Sequence, residues 1–321
     1  MSFGLLFCGK RCEKVEPGWC IFWERKFMRI LVPVDASTHS VETVKYVLST
    51  KALKENSEIE LVTVVKALPL NLTRYLTSEQ MRLYVEEESK LVFEPILPLI
   101  EGNAHVSVQT LIGDPVEAIA ERIKAIEPDL VVMGARGMNN VQGWLFGSVS
   151  RGVLSKSQTP VLLLRGDGPA VNRPLRIGIA VDGSEFSYRA AQFVVSHPAF
   201  FGDAAQVHLM YVADNLGKAV LPTITGSTVR PTPAENLVMH EEDWHEHAGP
   251  IEELFKTEGV PYLRACLVGS TAEEIAGYAE EKELDLLVMG SHGYGNFKSL
   301  FLGSTTIRVG ALCEKALLII R

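Results

Sequence analysis

Two short motifs in this 321-residue chain carry residues suited to holding an anion, and each occurs twice. The first is an aspartate that closes an apolar run. Asp35 follows Arg29-Ile30-Leu31-Val32-Pro33-Val34, and Asp182 follows Arg176-Ile177-Gly178-Ile179-Ala180-Val181. The second is a spaced set of small residues, G-x2-G-x9-G-S. It reads Gly134, Gly137, Gly147, Ser148 in one place and Gly290, Gly293, Gly303, Ser304 in the other. Glycine lets backbone N–H groups approach a phosphate closely. A Gly-Ser pair at a helix start adds unpaired N–H groups and the positive end of the helix dipole. Ser148 and Ser304 are expected to cap those helices and to donate an O–H to the anion. An aspartate at a strand end can accept hydrogen bonds from ribose hydroxyls, as acidic groups do in other nucleotide folds. The two sets differ in charge: Arg136 stands in the first where His292 stands in the second. Arginine is always cationic and an ordinary histidine is mostly neutral at pH 7, so the second set is expected to hold phosphates more weakly.

The elements that position these residues follow from the same repeat. Asp35 and Asp182 lie 147 residues apart, and Asp129-Leu-Val-Val-Met-Gly134 recurs as Asp285-Leu-Leu-Val-Met-Gly290. A period of this size is a duplicated domain and not a solenoid repeat. The expected organisation is an extension over 1–27, a first domain over 28–165, a linker over 166–174 and a second domain over 175–321. The linker carries Gly166, Gly168, Pro169 and Pro174. Short β-branched runs predict strands at 29–34, 58–65, 106–111, 130–133 and 161–164, and again near 176–181, 205–212, 262–267, 286–289 and 317–320. Helical spacing fills the gaps. Capping boxes at Thr77–Gln80 and Thr232–Glu235 open a long helix in each copy, and Pro95 and Pro250 are expected to kink or break them. Strands alternating with helices imply an α/β fold, a parallel sheet with helices on both faces. Such sheets bind ligands beyond the carboxyl ends of their strands, where the strand order reverses.

Composition narrows the function. Lys and Arg number 31 against 39 Asp and Glu, a net charge of −8, which disfavours nucleic acid as a partner. No apolar run is long enough to predict a membrane span, and the cytoplasm is the expected location. Cys8, Cys12 and Cys20 fit no zinc spacing and read as free thiols. Met28 opens the first copy and is expected to be the functional start. The acidic and histidine residues between His240 and His247 spread around a helix and read as a solvated face. Residues 213–231 are long for a loop and read as either a lid over the second site or a mobile segment. Gly293–Lys298 fails the dinucleotide fingerprint, and neither a P-loop nor a hydrolase elbow is present.

On these motifs each copy resembles a universal stress protein domain of the ATP-binding type, over about 28–165 and 175–321. The resemblance implies a Rossmann-like five-stranded parallel sheet of order 3-2-1-4-5, with ATP between strands one and four. It assigns the adenosine end to Pro33, Val34 and Asp35 and to Ala180, Val181 and Asp182. Val64 and Val212 match the strand-two position whose backbone meets adenine. The phosphate end falls to Met133, Gly134, Arg136, Gly137, Gly147, Ser148 and Val149, and to Met289, Gly290, His292, Gly293, Gly303, Ser304 and Thr305. It also implies ATP, with or without Mg2+, and a pseudo-dimer of the two copies through their last strands, with homodimerisation of the whole chain open. A nucleotide-dependent regulatory protein acting on a protein partner is the expected function. The alternative is an ATP-dependent enzyme, a hydrolase or adenylyl transferase, against which no general base stands beside both phosphate loops.

Overall fold

The strands at the centre of each copy are apolar at consecutive positions because both of their faces are covered, while the two edge strands of the sheet leave most of their side chains exposed. In the computed structural model, Ile30, Val32, Leu130 and Val132 face one layer of helices, while Leu31, Val131 and Met133 face the other. The described residues are 28–50, 57–135, 147–165, 168–169, 173–202, 204–213, 221–222, 228–229, 233–293 and 302–321. The first copy contains β1 (Met28–Pro33), α1 (Thr38–Ser49), β2 (Ser57–Val65), α2 (Ser78–Phe93), β3 (Val106–Ile112), α3 (Pro115–Ile126), β4 (Leu130–Gly134), α4 (Ser148–Lys156) and β5 (Val161–Leu164). The second repeats the order: β6 (Arg176–Val181), α5 (Glu185–Ser196), β7 (Gln206–Ala213), α6 (Pro233–Thr257), β8 (Tyr262–Val268), α7 (Thr271–Glu281), β9 (Leu286–Gly290), α8 (Ser304–Leu312) and β10 (Ala316–Ile320).

Within each copy the strands run in the order 3-2-1-4-5, all parallel. β1 pairs with β2 along its whole length but with β4 only at Ile30 and Leu31. Beyond that point the chain leaves β1 and β4 on opposite faces of the sheet, which opens a crevice between them. The same divergence separates β6 from β9, whose pairing ends at Val288 with Ile179.

The two copies join edge to edge. β10 pairs antiparallel with β5, Leu318 opposite Leu162, so that ten strands form one sheet. Both cores continue across this seam. Two arginines clamp it reciprocally. The guanidinium of Arg321 donates to the Ser157 carbonyl at the end of α4 at 3.0 Å, and that of Arg165 donates to the Cys313 carbonyl at the end of α8.

Local chemistry sets the helix starts. Ser37 caps α1, Ser184 caps α5 and Asp114 caps α3. Thr77 and Gln80 form a reciprocal capping box on α2. The helix opened at Thr77 stops at Phe93, and a four-residue helix over Leu97–Ile100 follows Pro95, the break expected there. Its counterpart does not stop. α6 runs through Pro250 to Thr257. Trp244, Ala248, Ile251 and Phe255 form a fully buried stripe along it, and Glu252 beneath it accepts two hydrogen bonds from Arg264 of β8. That packing offsets the roughly 3 kcal/mol a proline costs inside a helix. Thr232, the expected cap of this helix, lies outside the described residues. Of the 213–231 segment, Leu221–Pro222 and Thr228–Val229 pair as a short antiparallel ladder, and most of the rest lies outside the described residues.

His208, in the middle of β7, sits buried with its Nδ1 2.9 Å from the Tyr278 hydroxyl. Burial, together with Lys282 and Arg176, lowers its pKa below the ordinary 6.5. The folded chain therefore binds this proton less readily than the unfolded chain does. Stability is full above the unfolded pKa and falls as the pH drops below about 6.5. His208→Gln is expected to flatten that fall by up to about 1.4 kcal/mol per pH unit, one proton's worth. Urea titrations at pH 5.5 and 7.5 measure it, and parallel slopes for the two proteins would refute the assignment.

Candidate functional site

In the second copy a cleft of about 660 Å³ opens between the carboxyl ends of β6 and β9. Ala180, Val181 and Asp182 form one wall. Met289, Gly290, His292 and Gly293 form the facing wall, Gly303, Ser304 and Thr305 close one end, and Val212 reaches in from β7. Every second-copy residue assigned to the nucleotide site from sequence thus lines a single cavity.

The aspartate is held by its own turn. Asp182 Oδ1 accepts from the Ser184 N–H at 3.0 Å and the Ser184 hydroxyl at 2.6 Å, while Ser184 Oγ accepts from the Ser187 N–H at 3.2 Å and so caps α5. Oδ2 is left to face Gly293: a Cβ on that glycine would lie 2.7 Å from it. Gly290 is tight for a different reason. A Cβ there would meet Phe186 Cβ at 2.6 Å and its carbonyl carbon at 2.9 Å, so this glycine lets α5 close onto β9.

The helix start differs from expectation by one residue. Gly303 is the N-cap of α8 and Ser304 its first helical residue, and no side chain caps the helix. The same holds for Gly147 and Ser148 at α4. A serine at the first helical position cannot fold back onto the N–H groups two and three residues ahead of the cap, as an N-cap serine does. The loop is instead fixed by backbone, with the Gly303 N–H donating to the Ser291 carbonyl at 2.7 Å and the Ser291 N–H to Ile320 at 2.7 Å. Thr306 Oγ1 donates back to the Gly290 carbonyl at 3.0 Å. The first N–H groups of α8 are thus left without a side-chain acceptor at the mouth of the cleft.

The first copy repeats this scaffold. Pro33, Val34 and Asp35 end β1, Val64 lies on β2, Met133 and Gly134 end β4, and Gly147, Ser148 and Val149 start α4. Asp35 Oδ1 accepts from the Ser37 N–H, the Ser37 hydroxyl and the Ser40 hydroxyl, the last at 2.6 Å. The Gly147 N–H donates to the Ala135 carbonyl at 3.0 Å. Arg136 and Gly137 lie outside the described residues.

Several lining residues were not marked by any motif: Ser187, Met210, Tyr211, His247, Thr271, Ile275, Leu302 and Thr306. His247 corrects the reading of its segment as a solvated face. Glu241, Glu242, His245 and Glu246 are exposed, but His247 turns inward and stacks on Tyr211 with ring centroids 5.0 Å apart. The apolar stripe Trp244, Ala248, Ile251, Phe255 holds the signal, because it places His247 at the edge of the buried face.

Among the described residues, no helix is long and apolar enough to cross a membrane. The model of the universal stress protein family matches residues 26–165 and again 175–321. A universal stress protein of Mycolicibacterium smegmatis is 26% identical over 308 residues, covering 91% of this chain and 96% of that protein. The stress response protein NhaX of Bacillus subtilis is 32% identical over 99 residues, 31% of this chain and 60% of that protein. The crystal structure of a universal stress protein from Archaeoglobus fulgidus superposes with a TM-score of 0.64 at 23% identity, covering 91% of this chain and 98% of that one. With one match for each half of a duplicated sheet, this chain belongs to the universal stress protein family and carries two tandem copies of its domain.

Proposed function

We propose that the chain is a nucleotide-dependent regulatory protein of the stress response that binds ATP in each copy. One observation carries this reading: the uncapped start of α8 and the Asp182 carboxylate open on the same cleft. The first suits a phosphate chain and the second the ribose that carries it, adjoining parts of one nucleoside triphosphate. Val212, half-buried on β7, supplies apolar contact for a base beside Asp182. His292, Gly293, Gly303, Ser304 and Thr305 take the phosphates, with the Ser304 hydroxyl donating from the first helical position. Gly134, Arg136, Gly137, Gly147 and Ser148 would do so in the first copy. Among the described residues lining the second cleft Asp182 is the one carboxylate, and Mg2+, where present, would enter bound to the nucleotide.

The regulatory part follows from the seam. Ser291 beside the cleft hydrogen-bonds Ile320, the last residue of β10, and β10 is the strand that joins the copies. A nucleotide that favours one arrangement of this loop biases the packing of the halves, and that packing recruits a protein partner. Slow hydrolysis is compatible with such a role.

Protein purified under mild conditions and then denatured is expected to release adenine nucleotide on chromatography, up to one per copy. A chain that is empty and takes up no added ATP refutes the reading. Turnover at metabolic rates with a defined second substrate would move it to the enzymes.

A further inference from the structure

The two copies differ where the second cleft meets α6. Strand register makes Tyr211 the counterpart of Thr63, because Ala180 pairs with Met210 as Pro33 pairs with Val62. Counting back from the proline late in each long helix makes His247 the counterpart of Val92. Next to the aspartates, Gly183 stands where the first copy has Ala36. These three substitutions are one packing event. Gly183 has a φ of +77°, and a Cβ on it would lie 3.1 Å from His247 Cδ2 and 3.3 Å from its Cα. The glycine therefore lets α6 approach the strand end closely enough for His247 to reach Tyr211. The rings then stack at 20°, and Trp244 meets Tyr211 edge-on at 6.5 Å. His247 Nδ1 lies 2.8 Å from the Asp243 carbonyl, which can only accept, so the ring is held by a hydrogen bond as well as by packing.

Both residues of the pair line the cleft, His247 packed against Gly183, the chain neighbour of Asp182. We propose that Tyr211 and His247 form a base-selecting wall of the second cleft, so that this copy discriminates purine from pyrimidine nucleotides more strongly than the first. The proposal rests on the reading of the cleft as a nucleotide site. A purine presents two fused rings to an aromatic wall and a pyrimidine one, and contact between a base and an aromatic side chain contributes about 1–3 kcal/mol. Thr63 and Val92 offer the first copy no such surface.

The test uses the full chain with Gly137→Glu, which blocks the first site, and measures ATP and UTP affinities by calorimetry. Adding Tyr211→Thr and His247→Val, the first copy's residues, is expected to weaken ATP about tenfold and UTP less than twofold. His247→Phe keeps an aromatic wall and is expected to keep the ATP/UTP ratio within about twofold. It also serves if the double change unfolds the chain, with His247→Val alone then giving the intermediate ratio. A purely structural role for the pair would weaken both nucleotides equally, and an unchanged ratio in the folded variants overturns the proposal. A Gly137→Glu chain that binds neither nucleotide overturns instead the nucleotide reading of the second cleft.

Discussion

Gly293→Asp is expected to remove one bound nucleotide per chain, with a loss of affinity at that site on the order of 100-fold or more, while the fold survives. The new side chain enters the space between Asp182 Oδ2 and the start of α8, where a Cβ alone would already sit 2.7 Å from the carboxylate. It adds a second negative charge beside Asp182 and opposite the phosphates, and such like-charge juxtaposition costs several kcal/mol. The fold has little at stake. The atom that the Cβ meets is the end of a side chain, which can turn away, and the φ of Gly293 lies outside the left-handed region. Gly293→Ala adds bulk without charge and should cost about tenfold, within the 1–3 kcal/mol typical of overpacking. Calorimetric stoichiometry reads both variants. If Gly293→Asp still binds two nucleotides per chain, the anion is held elsewhere.

This geometry was legible in the sequence to the extent that it is local. A strand followed by aspartate, and a glycine turn leading into a helix, are set by neighbours within a few residues, so duplication of both motifs was enough to place Asp182, Gly290 and Gly303 at one end of the sheet. The helix cap was missed by one residue because Gly147 and Gly303 take the N-cap themselves, a choice made by the backbone bonds to Ala135 and Ser291. Pro250 does not break its helix because its penalty is local, while the stripe that offsets it packs against β7 and β8. Tyr211 and His247 were missed for the same physical reason. They lie 36 positions apart and touch only because Gly183, on a third element, yields the space. A contact that depends on three segments has no periodicity of its own.

The seam between the copies is the other place where a single change should have a large effect. Leu318→Ala is expected to destabilise the chain by about 2–5 kcal/mol, the usual cost of truncating a fully buried leucine. Leu318 has no exposed surface and lies opposite Leu162, equally buried, at the centre of the three-residue β5–β10 ladder. A ladder of three pairs would by itself be a weak joint. Here it lies between two cores that continue from one copy into the other, one on each face of the sheet, and it is clamped at both ends by Arg165 and Arg321. Unfolding one copy would expose the seam leucines of its neighbour and strand a half-buried guanidinium without its carbonyl. The copies should therefore unfold as one unit, and Leu318→Ala should move the whole urea transition to lower denaturant with its slope unchanged. Leu209→Ala, in the second copy's own core and away from the seam, should shift the same single transition. Two separate transitions in the parent chain, with only one displaced by Leu318→Ala, would mean that the halves fold independently. The proposed transmission from cleft to partner through β10 would then lose its physical basis, because a joint that does not couple folding cannot couple the smaller free energy of a bound nucleotide.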